Sequence, residues 1–156
     1  MITGDGSRIR IDFAGRREET RLLGRVMTVL GEHLGLSKEL CFELELAVVE
    51  AANNAIIHAC GDDPAQRLEL ELSHHPRQLI ITLRDHGTGM ECLARPPKPI
   101  DDIPTIENMS VGGLGLHLIH EVMDEVHYSS RKGGNTMTMI KWLPGSENDR
   151  QSTAKS

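Results

Sequence analysis

Ile9, Ile11 and Phe13 alternate with Arg8, Arg10 and Asp12 over residues 7–13, the two-residue period of a strand with one face in a core and one in water. From Glu18 the period lengthens. Leu22, Val26, Val29 and Leu30, broadened by Leu23, Met27 and Leu34, predict an amphipathic helix over 17–34 that ends near Gly35. Ser37 can cap a second helix over 38–59, with Leu40, Leu44, Ala47, Ala51 and Ala55 down one face and Gly61-Asp62-Asp63-Pro64 as its stop. Period two returns over 67–73, where Leu68, Leu70 and Leu72 oppose Glu69 and Glu71, and His75-Pro76-Arg77-Gln78 supplies a hairpin turn into a partner strand over 79–84.

Between 90 and 112 the run containing Pro96, Pro97, Pro99, Asp101, Asp102 and Pro104 follows no sustained period. A long irregular loop inside a small domain suits an active-site lid. Leu114, Leu118, Ile119, Val122 and Met123 then mark a third helical face, and strands over 126–130 and 136–143 flank the turn Lys132-Gly133-Gly134-Asn135. The order strand, helix, helix, strand, strand, lid, helix, strand, strand predicts an α+β fold, a two-layer α/β sandwich with a mostly antiparallel sheet and helices on one face. A single domain is expected over 7–143, with a polar tail over 144–156.

Composition narrows the function. A chain of 156 residues suits one domain and one site. Its net charge of -6 argues against direct nucleic-acid binding, which needs clustered Lys and Arg, and favours a protein partner. Cys41, Cys60 and Cys92 form no close pair and no metal-ligand spacing, as expected in a reducing cytoplasm. No segment approaches the roughly 20 apolar residues that span a bilayer, so a membrane is not expected.

Three stretches carry candidate chemistry. Glu50 and Asn54 are four residues apart on the second helix and therefore share a face. A carboxylate there can orient or deprotonate a hydroxyl while a neutral amide oxygen coordinates Mg²⁺; a plain pair of helix-surface side chains has the same spacing. His58 follows one turn later, placed either to meet a ligand or to close the helix. Asp85 continues the inward side of Leu79, Ile81 and Leu83 and needs a donor, which an adenine amino group, a backbone amide or a water could supply. Gly87 and Gly89 after it allow close approach of a planar base, or simply a turn. Gly112-Gly113-Leu114-Gly115 precedes a helix, an arrangement that attracts phosphate and also describes a hinge.

Taken in order, Glu50-Ala51-Ala52-Asn53-Asn54-Ala55, Asp85-His86-Gly87-Thr88-Gly89, Gly113-Leu114-Gly115-Leu116 and Gly133-Gly134-Asn135-Thr136 resemble the ATP-binding domain shared by sensor histidine kinases, gyrase-type topoisomerases and heat-shock chaperones. Ala55-Ile56-Ile57-His58 and the stretch 118–126 bring the resemblance nearest to bacterial anti-sigma-factor serine kinases. The resemblance implies ATP and Mg²⁺ as cofactors, with Glu50 as catalytic base, Asn54 as Mg²⁺ ligand and Asp85 as adenine reader. It further implies Gly87 and Gly89 in the base pocket, Gly113, Leu114 and Gly115 around the triphosphate under the lid, and Thr136 on the adenine side. Its partners would be a sigma factor and an anti-sigma-factor antagonist phosphorylated on serine, held by a homodimer, with Arg25 and neighbouring Arg21 as partner contacts. Two other readings stand beside it, a noncatalytic ATP-dependent partner-binding protein and a detached histidine-kinase-like ATPase domain.

Overall fold

A computed structural model describes residues 6–60, 63–87 and 113–144. Gly89, the expected lid at 90–112, the tail from 145 onward and the side chains of His58 and Leu114 lie outside the described part. In chain order the elements are β1 (Ser7–Ala14), α1 (Arg17–His33), α2 (Lys38–Asn54), a π-helical turn (Ala55–Ala59), β2 (Arg67–His75), β3 (Gln78–Asp85), α3 (Gly113–Val122), β4 (Glu125–Arg131) and β5 (Gly134–Trp142).

The strands form one sheet in the order β1-β2-β3-β5-β4, with every neighbour antiparallel. Side-chain alternation makes one face of this sheet apolar. Leu68, Leu70 and Leu72 of β2, Leu79, Ile81 and Leu83 of β3, and Met137 and Met139 of β5 are all buried with the helices. The opposite face carries Arg10, whose guanidinium donates to Glu71 at 2.8 Å, and Arg84, which donates to Glu69 at 2.7 Å. Such exposed pairs hold strand register more than they add stability. The two-layer α+β sandwich expected from the element order is the observed architecture.

Helix ends follow the residues that can satisfy them. Gly35 takes φ 74°, and the amides of Gly35 and Leu36 close onto the carbonyls of Glu32 and Gly31, each at 3.0 Å, the left-handed stop of a helix C-terminus. Ser37 Oγ then accepts from Leu40 N at 3.2 Å and starts α2. The α-helix ends at Asn54 rather than near 59. A wider turn continues it, with Cys60 N donating to Ala55 O at 2.9 Å, and this turn places Ala55, Ile56 and Cys60 together in the core.

The buried face of α1 differs from the expected stripe. Leu22 is 58% exposed and Val29 63% exposed, while Leu23 and Met27 are in the core with Thr20, Gly24 and Gly31. The apolar residues of α1 form a one-sided stripe, but the packed face is offset toward one edge of it, so hydrophobicity alone does not select the face. Close packing does. A Cβ on Gly24 would lie 2.8 Å from Val49 Cγ2, and one on Gly31 would lie 2.6 Å from Cys41 Sγ, so α1 meets α2 along its two glycines. On the other side α2 packs against α3, which makes α2 the central helix of the layer.

Met27 is 1% exposed, so Met27→Ala should lower the unfolding free energy by about 2–5 kcal/mol. Val29→Ala should change it by less than about 0.5 kcal/mol. Urea titration followed by circular dichroism checks both, and the opposite ranking would restore the face expected from hydrophobicity.

Candidate functional site

Position along α2 decides what its polar residues can reach. Leu44, Ala47, Val48 and Ala51 face the sheet and are at most 1% exposed. Glu50 and Asn54 lie on the flank that meets α3. Asn54 is 3% exposed, and its Nδ2 has no hydrogen-bond partner among the described residues. A buried amide left unpaired costs about 1–3 kcal/mol, so its retention there points to a ligand that satisfies it.

The first turn of α3, Gly113 to Gly115, supplies the other wall. A Cβ on Gly115 would collide with Glu50 Oε2 and lie 3.8 Å from Asn54 Nδ2. Glycine lets α3 start this close to that pair without displacing the Glu50 carboxylate. The amides of a helix's first turn have no partner within the helix and carry the positive end of its dipole. Gly115, Glu50 and Asn54 therefore converge at the start of α3, and their chemistry combines an anion-binding backbone, a carboxylate and a neutral amide. Lys141 secures the far end of α3, its Nζ donating to Val122 O at 2.6 Å.

Asp85, the last residue of β3, is 6% exposed and faces the core side of the sheet, as expected. Its Oδ1 accepts from Gly87 N at 2.9 Å and from Asn135 Nδ2 at 2.7 Å. Burial raises the Asp85 carboxyl above the ordinary carboxylate range, against the lowering by those two bonds and by His86. Beside it, burial and then Asp85 and Asp63 push the Cys60 thiol up to about 11. Cys60 thus stays a neutral thiol near pH 7 and is unsuited to nucleophilic chemistry.

Asn135 is the residue that sequence reasoning missed. Gly133-Gly134-Asn135 looks like turn chemistry, yet Asn135 sits inside β5, directly opposite Asp85, and is 2% exposed. Counting back by twos from Met139 and Met137 places it inward, so the signal was in the strand period. Thr136, expected on the adenine side, is paired with Arg84 and projects to the opposite face of the sheet from Asp85. The structure brings Asn135, and not Thr136, to the carboxylate, because adjacent strand residues face opposite ways.

Arg21 and Arg25 lie elsewhere. With Thr28 and Val29 of α1 and Glu45, Leu46 and Val49 of α2 they line an open groove of about 540 Å³. Glu45 Oε2 accepts from Thr28 Oγ1 there at 2.6 Å. This groove is on the α1 side of α2, whereas Glu50 and Asn54 meet α3.

The chain matches the histidine kinase-like ATPase domain family over residues 13–141. It is similar to the serine-protein kinase RsbW of Bacillus subtilis, 26% identical over 149 residues, covering 94% of this chain and 92% of that protein. RsbW of Listeria monocytogenes is 30% identical over 139 residues, with 86% and 85% covered. The anti-sigma F factor of Anoxybacillus flavithermus is 32% identical over 106 residues, with 67% and 71% covered. Among solved structures, the RsbU and RsbW domains of a Mycobacterium tuberculosis protein align with TM-score 0.58 and 13% identity, over 89% of this chain and 34% of that one. A mycobacterial sensor histidine kinase, MprB, aligns with TM-score 0.50 and 13% identity, over 90% of this chain and 100% of that one. At such identity the two structures speak to the fold alone.

The glycine contacts on the two sides of α2 should separate function from stability. Gly115→Ala forces Glu50 aside and should weaken adenine-nucleotide binding by about tenfold or more, the equivalent of about 1.4 kcal/mol. Gly24→Ala overpacks the α1 contact and should cost about 1–3 kcal/mol of stability with nucleotide affinity retained. Calorimetry and urea unfolding on both variants decide; unimpaired binding in Gly115→Ala would detach the start of α3 from the ligand.

Proposed function

This chain belongs to the histidine kinase-like ATPase domain family, and we propose that it is an ATP-dependent serine protein kinase of the anti-sigma-factor type, phosphorylating an antagonist protein and holding a sigma factor. The observation that carries the reading is the seating of Gly115 against both Glu50 and Asn54. It sets a helix N-terminus, suited to phosphate, over a carboxylate and a buried amide. The names of the curated relatives, serine-protein kinase and anti-sigma F factor, support the reaction class and the kind of partner.

In this reading the adenine ring lies toward Asp85, whose carboxylate accepts from the exocyclic amine, and Gly87 lines the base pocket with Gly89. The triphosphate runs to the first turn of α3, where the backbone of Gly113, Leu114 and Gly115 receives it. Among the described residues no group of three or more His, Cys, Asp or Glu side chains converges on a metal position. The donor set fits Mg²⁺ carried in with the nucleotide, because that ion commonly takes one or two protein oxygens and completes its shell with phosphate and water. The buried Asn54 amide supplies such an oxygen. When bound, Mg²⁺ offsets charge on the phosphates.

Glu50 then has one task. It accepts the proton of the substrate serine hydroxyl as the bond from serine Oγ to the γ-phosphorus forms and the bond from that phosphorus to the oxygen bridging the β-phosphate breaks, releasing ADP. General-base assistance of this kind contributes about 10²–10⁴ in rate. Arg21 and Arg25, in the groove on the far side of α2, are the proposed partner contacts, in a homodimer and a cytoplasmic setting. No described helix is long and apolar enough to cross a membrane.

Glu50→Gln keeps the side-chain size and removes the base. Serine phosphorylation of a purified antagonist should fall by about 10² or more, while ATP and sigma-factor binding persist. Radiolabelled phosphate transfer, read beside calorimetry on the same preparation, is the measurement. Unchanged transfer would remove Glu50 from this role, and ATP-dependent partner binding without transfer by the wild type would favour a noncatalytic binding protein.

A further inference from the structure

The bonds around Asp85 are unevenly shared. Both of its bonds among the described residues fall on Oδ1, from Gly87 N at 2.9 Å and Asn135 Nδ2 at 2.7 Å, and Oδ2 takes none. Asn135 is itself held. Its Nδ2 also donates to Gly87 O at 3.1 Å, and its Oδ1 accepts from Ser130 Oγ at 2.7 Å. Turning the amide over would face its oxygen toward two acceptors, Asp85 Oδ1 and Gly87 O, so the partners fix its orientation. The Asp85 carboxylate is therefore prevented from rotating, with one oxygen already engaged.

This arrangement bears on which base can be read. Adenine presents one exocyclic donor, N6–H₂, flanked by the acceptor N1. Guanine presents two adjacent donors, N1–H and N2–H₂, which pair best with both oxygens of a carboxylate. We propose that Asn135 is a specificity-determining residue of the base pocket: by occupying Asp85 Oδ1 it leaves a single acceptor that suits adenine and denies guanine the two-oxygen contact. The inference rests on the nucleotide-site reading given above and adds a residue that touches the adenine reader rather than the base. Ser130, at the end of β4, orients Asn135 and so acts one step further out.

Asn135→Leu keeps the number of side-chain heavy atoms and removes the donor. Calorimetry with ATP and with GTP on the wild type should show a preference for ATP, and in Asn135→Leu that preference should shrink by about tenfold, the scale of one hydrogen bond to a charged group. A second readout is pH. The groups facing Asp85 are Asn135 of β5, Gly87 and His86 beyond β3, and the Cys60 thiol after α2. The Asn135 bond favours the ionised carboxylate, so its loss raises the carboxyl further. ATP affinity, which needs the ionised form, should then start to fall at a higher pH in the variant than in the wild type as pH is lowered.

An ATP preference unchanged in folded Asn135→Leu overturns the proposal, as does an equal loss of both nucleotides. If that variant does not fold, Asn135→Ala decides, because it removes the same donor without adding apolar bulk; a reduced preference supports the proposal and an unchanged one overturns it. Wild-type protein that binds neither nucleotide overturns the nucleotide-site reading itself, a failure distinct from loss of the role of Asn135 alone.

Discussion

The close approach of α3 to α2 at Gly115 is the constraint on which the candidate site depends. With glycine at the contact the helix begins beside a carboxylate and a buried amide and leaves Glu50 in place, whereas a Cβ there would displace Glu50 Oε2. The remainder of α3 keeps that approach in place. Ile119 is fully buried and Leu116, Val122 and Met123 are largely so, while Lys141 of β5 reaches the last carbonyl of the helix and lies 3.8 Å from both Glu43 and Asp124. The position of the first turn is thus set by apolar packing along the helix and by a charge at its C-terminus, where a cation is favoured.

Much of this was legible in the sequence, for reasons that vary by element. Strands β2 and β3 alternate cleanly because one face is buried and the other is wet, and α2 carries its cap, its small-residue face and its stop in plain order. Helix α1 was harder. The face that packs is offset from the centre of its apolar stripe and is marked by Gly24 and Gly31, which a hydrophobic count treats as blanks. The π-helical turn after Asn54 left no trace in the period, because Ala55 and Ile56 fit an α-helix equally well.

At the site, the separation of Glu50 from Asn54 was readable from helical spacing, and the inward direction of Asp85 from strand spacing. Their convergence with Gly115 was not, since it joins residues about sixty positions apart through the packing of two helices. Asn135 and Thr136 show a different failure. Both were assigned by local motif to a turn and its exit, whereas the register of β5 against β3, fixed along eight residue pairs, determines which of them faces Asp85. One residue of shift exchanges the two faces completely.

The two halves of the candidate site are held by different layers. Glu50, Asn54 and Gly115 belong to the helices, and Asp85 and Asn135 belong to the ends of β3 and β5. What fixes one half relative to the other is the core between them, where Ala47 and Ala51 of α2 meet a sheet face built from Leu and Met side chains. Small residues on the helix let it lie close to the sheet, and close-packed interiors resist changes of even one methylene. The two ends of the candidate site are therefore held in place by packing. In the proposed reading the base meets the sheet and the phosphates meet the helices, so changes at Asn135 act on the choice of base and changes at Gly115 act on the phosphate side, coupled only through the core that both share.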